Sequence, residues 1–544
     1  MADLATTAVA PSSTGAPLLD KKMKSQMPPW VSGVIVLVAL VGGLGYIGFH
    51  VAGDLGTVTL GSTWPYVLLG AALLIALAFE FVNGFHDTAN AVATVIYTHS
   101  LDANIAVVWS GLCNLTGVLT SAGAVAFTII TLLPVELILK VSSGAGFAMV
   151  FALLLAAILW NLGTWWLGLP ASSTHTMTGS IIGVGVANQL MANSADGTSG
   201  VDWEQASKVF KVLLVSPLFG FGLAFLIFLL SKATIKFPPL YEAPKDNTPP
   251  PFPIRILLII TCTLVSYFHG SNDGQKGMGL IMLILIGTVP TAYALNHAVT
   301  TRDIQDFIAA SERAVSIVDH HVDKAAILGG DPREELTYYL QTKKMHPATM
   351  TALRELIRDT EGAVKAYGDY KSVPANMQSN VRNDMYVTSE TLRVMAKNKQ
   401  GGFTADDTAA LNNYKKYVDK ATKFIPSWVK VAVALALGLG TMVGWKRIVV
   451  TVGEKIGKEH LTYAQGASAE LVAAATIYAA DTLGLPVSTT HVLSSGVAGT
   501  MAANKSGLQF STIRNIAAAW VFTLPAAALL SGLLYAAFRL MQGN

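Results

Sequence analysis

The chain has 544 residues, 52% of them hydrophobic and only 13% charged, with a mean hydropathy of +0.49. Soluble domains carry about a quarter charged residues, so this composition excludes an ordinary soluble globular protein and predicts an all-α polytopic membrane protein. A formal net charge of +3 gives no reason to expect nucleic acid as a partner. Cys113 and Cys262 both fall in apolar runs and offer neither a disulfide framework nor a metal pattern.

Residues 1–29 are polar and rich in Ala, Ser, Thr and Pro, with Lys21, Lys22 and Lys24 near the first apolar run. They predict a disordered tail rather than a signal peptide, because the run that follows is long and lacks a small-residue cleavage site. Trp30–Phe49 reads as a first spanning helix. The loop 50–63 has no Lys or Arg, which by the positive-inside rule places the N-terminus in the cytoplasm. Apolar runs at 64–82, 88–97, 104–133, 146–168, 171–192 and 209–231 complete a first membrane half, 30–232; the long 104–133 run fits a tilted helix or a hairpin. A Pro-rich connector, 233–253, leads to a second half that begins at 254–300, with runs at 253–269 and 277–298, and ends at 428–544, with runs at 428–445, 464–482, 487–503 and 514–538. About ten to twelve membrane segments are expected, several of them broken or half-length.

Between those parts the character changes. Residues 302–426 hold 35 of the chain's 71 Asp, Glu, Lys and Arg residues and no spanning run. Helical patterning predicts an inserted soluble α-helical domain over 301–427. His320-His321, between Asp319 and Asp323, fits a solvated helix face better than a metal site.

Two motifs occur twice, in the same order. Asn83-Gly84-Phe85-His86-Asp87-Thr88-Ala89-Asn90 returns 186 residues later as His269-Gly270-Ser271-Asn272-Asp273-Gly274-Gln275-Lys276. Leu167-Gly168-Leu169-Pro170-Ala171-Ser172-Ser173-Thr174-His175 returns 316 residues later as Leu483-Gly484-Leu485-Pro486-Val487-Ser488-Thr489-Thr490-His491. Such a pattern predicts a duplication, with the insert accounting for the unequal offsets.

Each motif has its chemistry. In the second, Pro followed by Ser and Thr predicts the N-terminus of a half-helix within the membrane. Its free N–H groups and positive dipole end suit an anion, and the hydroxyls of Ser172, Ser173, Thr174, Ser488, Thr489 and Thr490 add neutral donors. In the first, Asp87 and Asp273 repel an oxyanion, so they need a cation or a proton. Asn90 and Asn272 can hold the anion. An anion cradle beside two carboxylates works when positive charge enters with the substrate, as in cation-coupled symport. His86 and Lys276 break the symmetry between the copies and tilt the coupling ion towards H⁺ or a metal–anion complex, since His titrates near neutral pH. Glu470 and Glu80 are further carboxylates in apolar runs and candidates for proton or cation handling.

These four segments resemble the PiT family of inorganic phosphate transporters, and in wording its bacterial low-affinity Pit branch, over roughly 65–300 and 427–540. The resemblance implies an inverted-repeat secondary transporter in the bacterial inner membrane, importing phosphate with H⁺ and accepting divalent-metal–phosphate complexes, with Na⁺ as the alternative coupling ion. Asp87, Asp273, His86 and Glu470 then handle the cation or proton, and Asp87 and Asp273 a metal such as Mg²⁺. The family usually has Asn before Asp in both halves; His86 departs from this. No resident cofactor and no enzymatic activity are expected, and no Gly-x-x-x-x-Gly-Lys-[Ser/Thr] points to an ATP-driven pump. The residues alone leave sulfate or another oxyanion open as substrate, and a homodimer open as assembly. A channel fits the paired carboxylates less well. An intramembrane metal enzyme built from His86, His99, His175, His269, His297 and His491 lacks any close ligand spacing.

Overall fold

The computed structural model describes residues 29–55, 64–87, 89–133, 135–139, 143–191, 200–244, 248–323 and 325–542. The expected polar tail, apart from Pro29, lies outside them, as do most of the 50–63 loop, Thr88 and the side chain of Asn90. Among the described residues all regular structure is helical, without β-strands. The helices are α1 (Pro29–Leu55), α2 (Trp64–Asp87), α3 (Ala89–Tyr97), α4 (Ala103–Thr120), α5 (Ala124–Ile130), α6 (Val135–Leu139), α7 (Gly144–Trp166), α8 (Ser173–Met191), α9 (Trp203–Thr234), α10 (Phe252–Thr288) and α11 (Pro290–Tyr293). They continue as α12 (Thr301–Asp319), α13 (Pro332–Thr342), α14 (Thr349–Tyr367), α15 (Ala375–Asn398), α16 (Ala405–Thr422), α17 (Ser427–Thr441), α18 (Lys446–Glu454), α19 (Tyr463–Thr482), α20 (Thr489–Asn504) and α21 (Phe510–Met541).

Seven helical stretches among the described residues are long and apolar enough to cross a bilayer, and the protein is a multi-pass membrane protein. Leu218, Leu226, Leu230, Val521, Leu529 and Leu533 are exposed along α9 and α21, as lipid-facing side chains must be. The 104–133 run is two helices, α4 and α5, broken at 121–123. The region of the second Asp motif departs from expectation. Where two apolar runs predicted a break, α10 continues unbroken for 37 residues. Its polar residues, from His269 to Lys276, are all buried. Hydropathy falls there because the helix turns a polar surface inwards, not because the backbone opens.

Both copies of the Pro motif fold alike. Gly168 (φ 67°) and Gly484 (φ 63°) occupy the left-handed region, which glycine enters without steric cost. The matching bonds Leu169 N–H to Thr164 O (2.9 Å) and Leu485 N–H to Ala480 O (2.8 Å) close the ends of α7 and α19. After this turn Ser172 and Ser488 cap the next helix, each accepting from the His three residues on at 3.2 Å. So α8 and α20 begin where predicted.

The packing of the two halves is exchanged. α8 lies on α21, and α20 lies on α9; α2 lies on α17, and α10 on α4. The last two crossings are close because glycines meet backbone. A Cβ at Gly84 would strike the Leu437 carbonyl, and one at Gly270 the Asn114 carbonyl, the small-residue contact that lets membrane helices approach. α12 to α16 form the charged segment, with Phe307, Leu353, Ile357, Met385 and Tyr414 among its buried apolar side chains.

Candidate functional site

The site lies where α2, α10 and the starts of α8 and α20 converge. Asp87, the last residue of α2, and Asp273, in mid-α10, are both buried. One hydroxyl bridges them: Ser173 Oγ donates to Asp87 Oδ2 at 2.9 Å and lies 3.3 Å from Asp273 Oδ2. Thr490, from the other half-helix, donates to Asp87 Oδ1 at 2.5 Å. The hydroxyls that begin both half-helices are therefore turned onto carboxylates.

Lys276 closes the other side. Its Nζ is 2.7 Å from Asp273 Oδ1 and donates to Thr174 Oγ1 at 2.6 Å, with the whole side chain buried. Thr174 in turn donates to the Val487 carbonyl at 2.9 Å, just before the second half-helix. A buried ammonium without a carboxylate is costly, so this pair fixes Lys276 in the site.

Histidine supplies the remaining contacts. His269 Nε2 lies 3.8 Å from Asp87 Oδ2 and 3.5 Å from Asp273 Oδ2. Its Nδ1 is 2.8 Å from Asn114 Oδ1, and Asn114 donates to Thr441 Oγ1 at 3.0 Å. His86 Nδ1 is 3.5 Å from Asp87 Oδ1, and its Nε2 is 3.1 Å from Thr164 Oγ1. Asp87, His269 and Asp273 each bring a ligand atom within 4.8 Å of the others. Two carboxylates and one imidazole fit a transition metal better than a hard cation such as Mg²⁺, which prefers oxygen alone.

Of the residues singled out in the sequence, Asp87, Asp273, His86, Lys276, Ser173, Thr174 and Thr490 come together. Ser172 and Ser488 are buried and serve as helix caps. Thr489 is buried on the first turn of α20. Asn272 donates to the Leu485 carbonyl at 3.2 Å, and its Oδ1 is buried with no hydrogen bond. Glu470 stands apart on α19, accepting from Thr261 at 2.5 Å. The His175 and His491 rings meet at 4.4 Å, tilted by 39°, and Trp520 stacks on His491 at 4.1 Å; they pack the half-helix starts together. Glu80 is fully buried against Gly277, and neither of its oxygens completes a hydrogen bond of normal geometry.

Two further residues take part that the motif chemistry does not assign to the site. One is His269, which stands opposite Asn83 when the copies are aligned, as Asn272 stands opposite His86. Each copy thus has one His and one Asn before its Asp, in exchanged order. Asp481 is the other. It accepts from Ser271 and Gln275 of α10, both at 2.6 Å, and a lone Asp at a helix end carried no signal.

Comparison with known proteins gives a consistent result. The phosphate transporter family matches residues 83–531. The low-affinity inorganic phosphate transporter PitA of Escherichia coli (strain K12) is 44% identical over 491 residues, covering 86% of this chain and 96% of its own length. PitB of the same organism is 41% identical over 493 residues, with 86% and 97% covered. A solved structure of a sodium-dependent phosphate transporter is similar at 18% identity and a TM-score of 0.48, covering 87% of this chain and all of its own.

Proposed function

Since the chain belongs to the phosphate transporter family and is a phosphate transporter, we propose that it is an H⁺-coupled symporter in which Asp87 and Asp273 gate the phosphate cradle through the hydroxyls they hold. One observation carries this reading: Ser173 and Thr490, the donors expected to face the anion, are spent on the carboxylates. While both carboxylates are charged, these hydroxyls point at them, and negative charge repels phosphate. Protonation removes that charge and weakens both bonds, because hydrogen bonds to an ionised acceptor are about twice as strong as neutral ones. The hydroxyls then turn to phosphate, joined by Asn90, Asn272, Thr174, Thr489 and the N–H groups of α8 and α20. Ser172 and Ser488 hold those helix starts in place. Lys276, tied to both Asp273 and Thr174, links the acidic and anionic sides.

Two imidazoles beside the carboxylates, His86 and His269, favour H⁺ over Na⁺, which takes a shell of oxygens. Glu470 is assigned to proton handling on α19, apart from the cradle. Alternating access follows from an inverted repeat, for which the exchanged packing of α8 on α21 and α20 on α9 is the support. A second reading rests on the Asp87–His269–Asp273 donor set: a divalent metal entering with phosphate as joint substrate neutralises the same carboxylates.

The test is labelled-phosphate uptake into proteoliposomes, with pH and Na⁺ gradients imposed separately and Mg²⁺ or Mn²⁺ present or absent. Uptake driven by the pH gradient, and lost in Asp87→Asn and Asp273→Asn, is the expected result. Uptake driven by Na⁺ alone overturns the coupling assignment. An absolute requirement for metal moves the second reading ahead of the first.

A further inference from the structure

Outside the buried site, an open cavity of about 570 Å³ lies between the end of α7 and the start of α18. Trp165, Trp166, Lys446, Arg447, Thr451 and Lys455 line it, and no Asp or Glu among the described residues does. Arg447 and Lys455, both exposed, bring like charge to one cavity, and an anion or solvent offsets it.

The cavity is built, not incidental. The Arg447 guanidinium lies over both indoles, 4.6 Å from the Trp166 ring and 5.1 Å from that of Trp165. It donates through Nη1 to the Trp166 carbonyl at 2.8 Å. Trp165 Nε1 donates to the Gly444 carbonyl at 2.7 Å, and Thr451 donates to Gly168 O at 2.8 Å. A guanidinium has five N–H donors in a fixed fork, so a pinned one keeps donors for a tetrahedral oxyanion. Lys446 and Lys455 add positive charge to the same lining.

The cavity also adjoins the transport site. Its wall residue Trp165 meets Phe85 edge-on at 5.2 Å, and Phe85 stands between Gly84 and His86 of the first Asp motif. Thr164, next to Trp165, holds His86. The cavity wall thus touches the first Asp motif at Phe85, next in sequence to His86.

We propose that this cavity is a second anion site, specific for the phosphate group, occupied either by inorganic phosphate on its way to the buried cradle or by an anionic phospholipid headgroup. It does not depend on the coupling ion, and only its first source depends on transport. The probe is ¹⁹F NMR of the full chain carrying 5-fluorotryptophan, in phosphatidylcholine nanodiscs, with the Trp166 resonance assigned by Trp166→Phe. A triple variant, Lys446→Gln with Arg447→Gln and Lys455→Gln, is compared after its thermal transition shows that it folds.

A Trp166 shift on adding inorganic phosphate, absent with chloride at equal ionic strength and lost in the triple variant, supports the site with phosphate as occupant. The triple variant should then also raise KM for uptake roughly threefold to tenfold at nearly constant kcat, as loss of electrostatic recruitment requires. A shift seen only when phosphatidylglycerol is included supports the site with lipid as occupant. No shift with either, an equal shift with chloride, or a phosphate shift undiminished in the triple variant overturns it. Asp273→Asn separates the two proposals, because it should abolish uptake and leave the Trp166 response intact.

Discussion

At the residue scale, both carboxylates of the site lie within reach of Ser173 Oγ, and Asp87 also accepts from Thr490, hydroxyls that belong to the other motif. Ser173 is the site's smallest part and its sharpest test. Its one O–H lies 2.9 and 3.3 Å from the two carboxylates, so Ser173→Ala removes the single donor they share, at about 1–3 kcal/mol. Uptake should fall about tenfold or more by that measure, while Ser173→Thr, which keeps the hydroxyl, should restore much of it. Equal rates for Ser173→Ala and wild type would remove the hydroxyl gate. Lys276→Met should be more severe in folding than in sequence terms it looks, because it strips the buried Asp273 of its ammonium partner; removing one partner of a buried pair costs about 3–5 kcal/mol. Melting of the purified variant reads this directly, and the double variant Lys276→Met with Asp273→Asn should recover part of the loss. What the sequence disclosed at this scale was the acids and the donors, since polar residues in apolar runs stand out. What it hid was orientation. Nothing in a one-dimensional pattern says that Ser173 turns to Asp87, or that His269 rather than His86 faces both acids.

At the element scale, the fold was legible wherever a local signal set a local geometry. Gly then Pro then Ser gives a left-handed turn, a helix start and a cap, and both copies do this. The same reasoning failed for α10, because a hydropathy window cannot tell a broken helix from an intact one whose buried face is polar. The close crossings give the prediction proper to this scale. Gly84 in α2 faces the Leu437 carbonyl of α17, and Gly270 in α10 faces the Asn114 carbonyl of α4. Neither backbone can yield as a side-chain tip can, so Gly84→Ala and Gly270→Ala should each force the helices apart, costing about 1–3 kcal/mol of overpacking. Gly222, with open space around its Cα, is the control: Gly222→Ala should leave the melting temperature unchanged or raise it. Equal behaviour of all three would show that these glycines do not set the helix crossings.

At the scale of the whole molecule, the charged segment is joined to the first membrane half by ion pairs around one helix cap. Asp202 caps α9, accepting from Gln205 N–H at 3.0 Å. It also lies 3.7 Å from Lys343 and 3.9 Å from Arg393, while Glu204 is 2.7 Å from Lys397. Arg393 and Lys423 converge on Glu390, at 2.6 and 3.3 Å. Composition marked 301–427 as a separate unit, but pairs between residues nearly 200 positions apart leave no trace in local sequence. Glu390 makes the junction sensitive to acid. Burial alone would raise its carboxyl, but the charges of Lys423 and Arg393 outweigh that and hold it below its ordinary 4.5. A carboxyl whose folded value is depressed contributes stability that is fully present above the unfolded value and is lost as pH falls through the folded one. The junction should therefore hold near neutral pH and loosen below about 4.5, and hydrogen exchange of α15 should speed up in that window. Glu390→Gln should remove that acid sensitivity and weaken the junction by about 1–3 kcal/mol at neutral pH, the worth of hydrogen bonds to a charged group. An exchange profile of α15 with the same acid dependence in wild type and Glu390→Gln would place the sensitivity elsewhere. If uptake of phosphate by Glu390→Gln at neutral pH also stays at the wild-type rate while α15 opens, the junction fastens the charged segment to the transporter without taking part in the transport cycle.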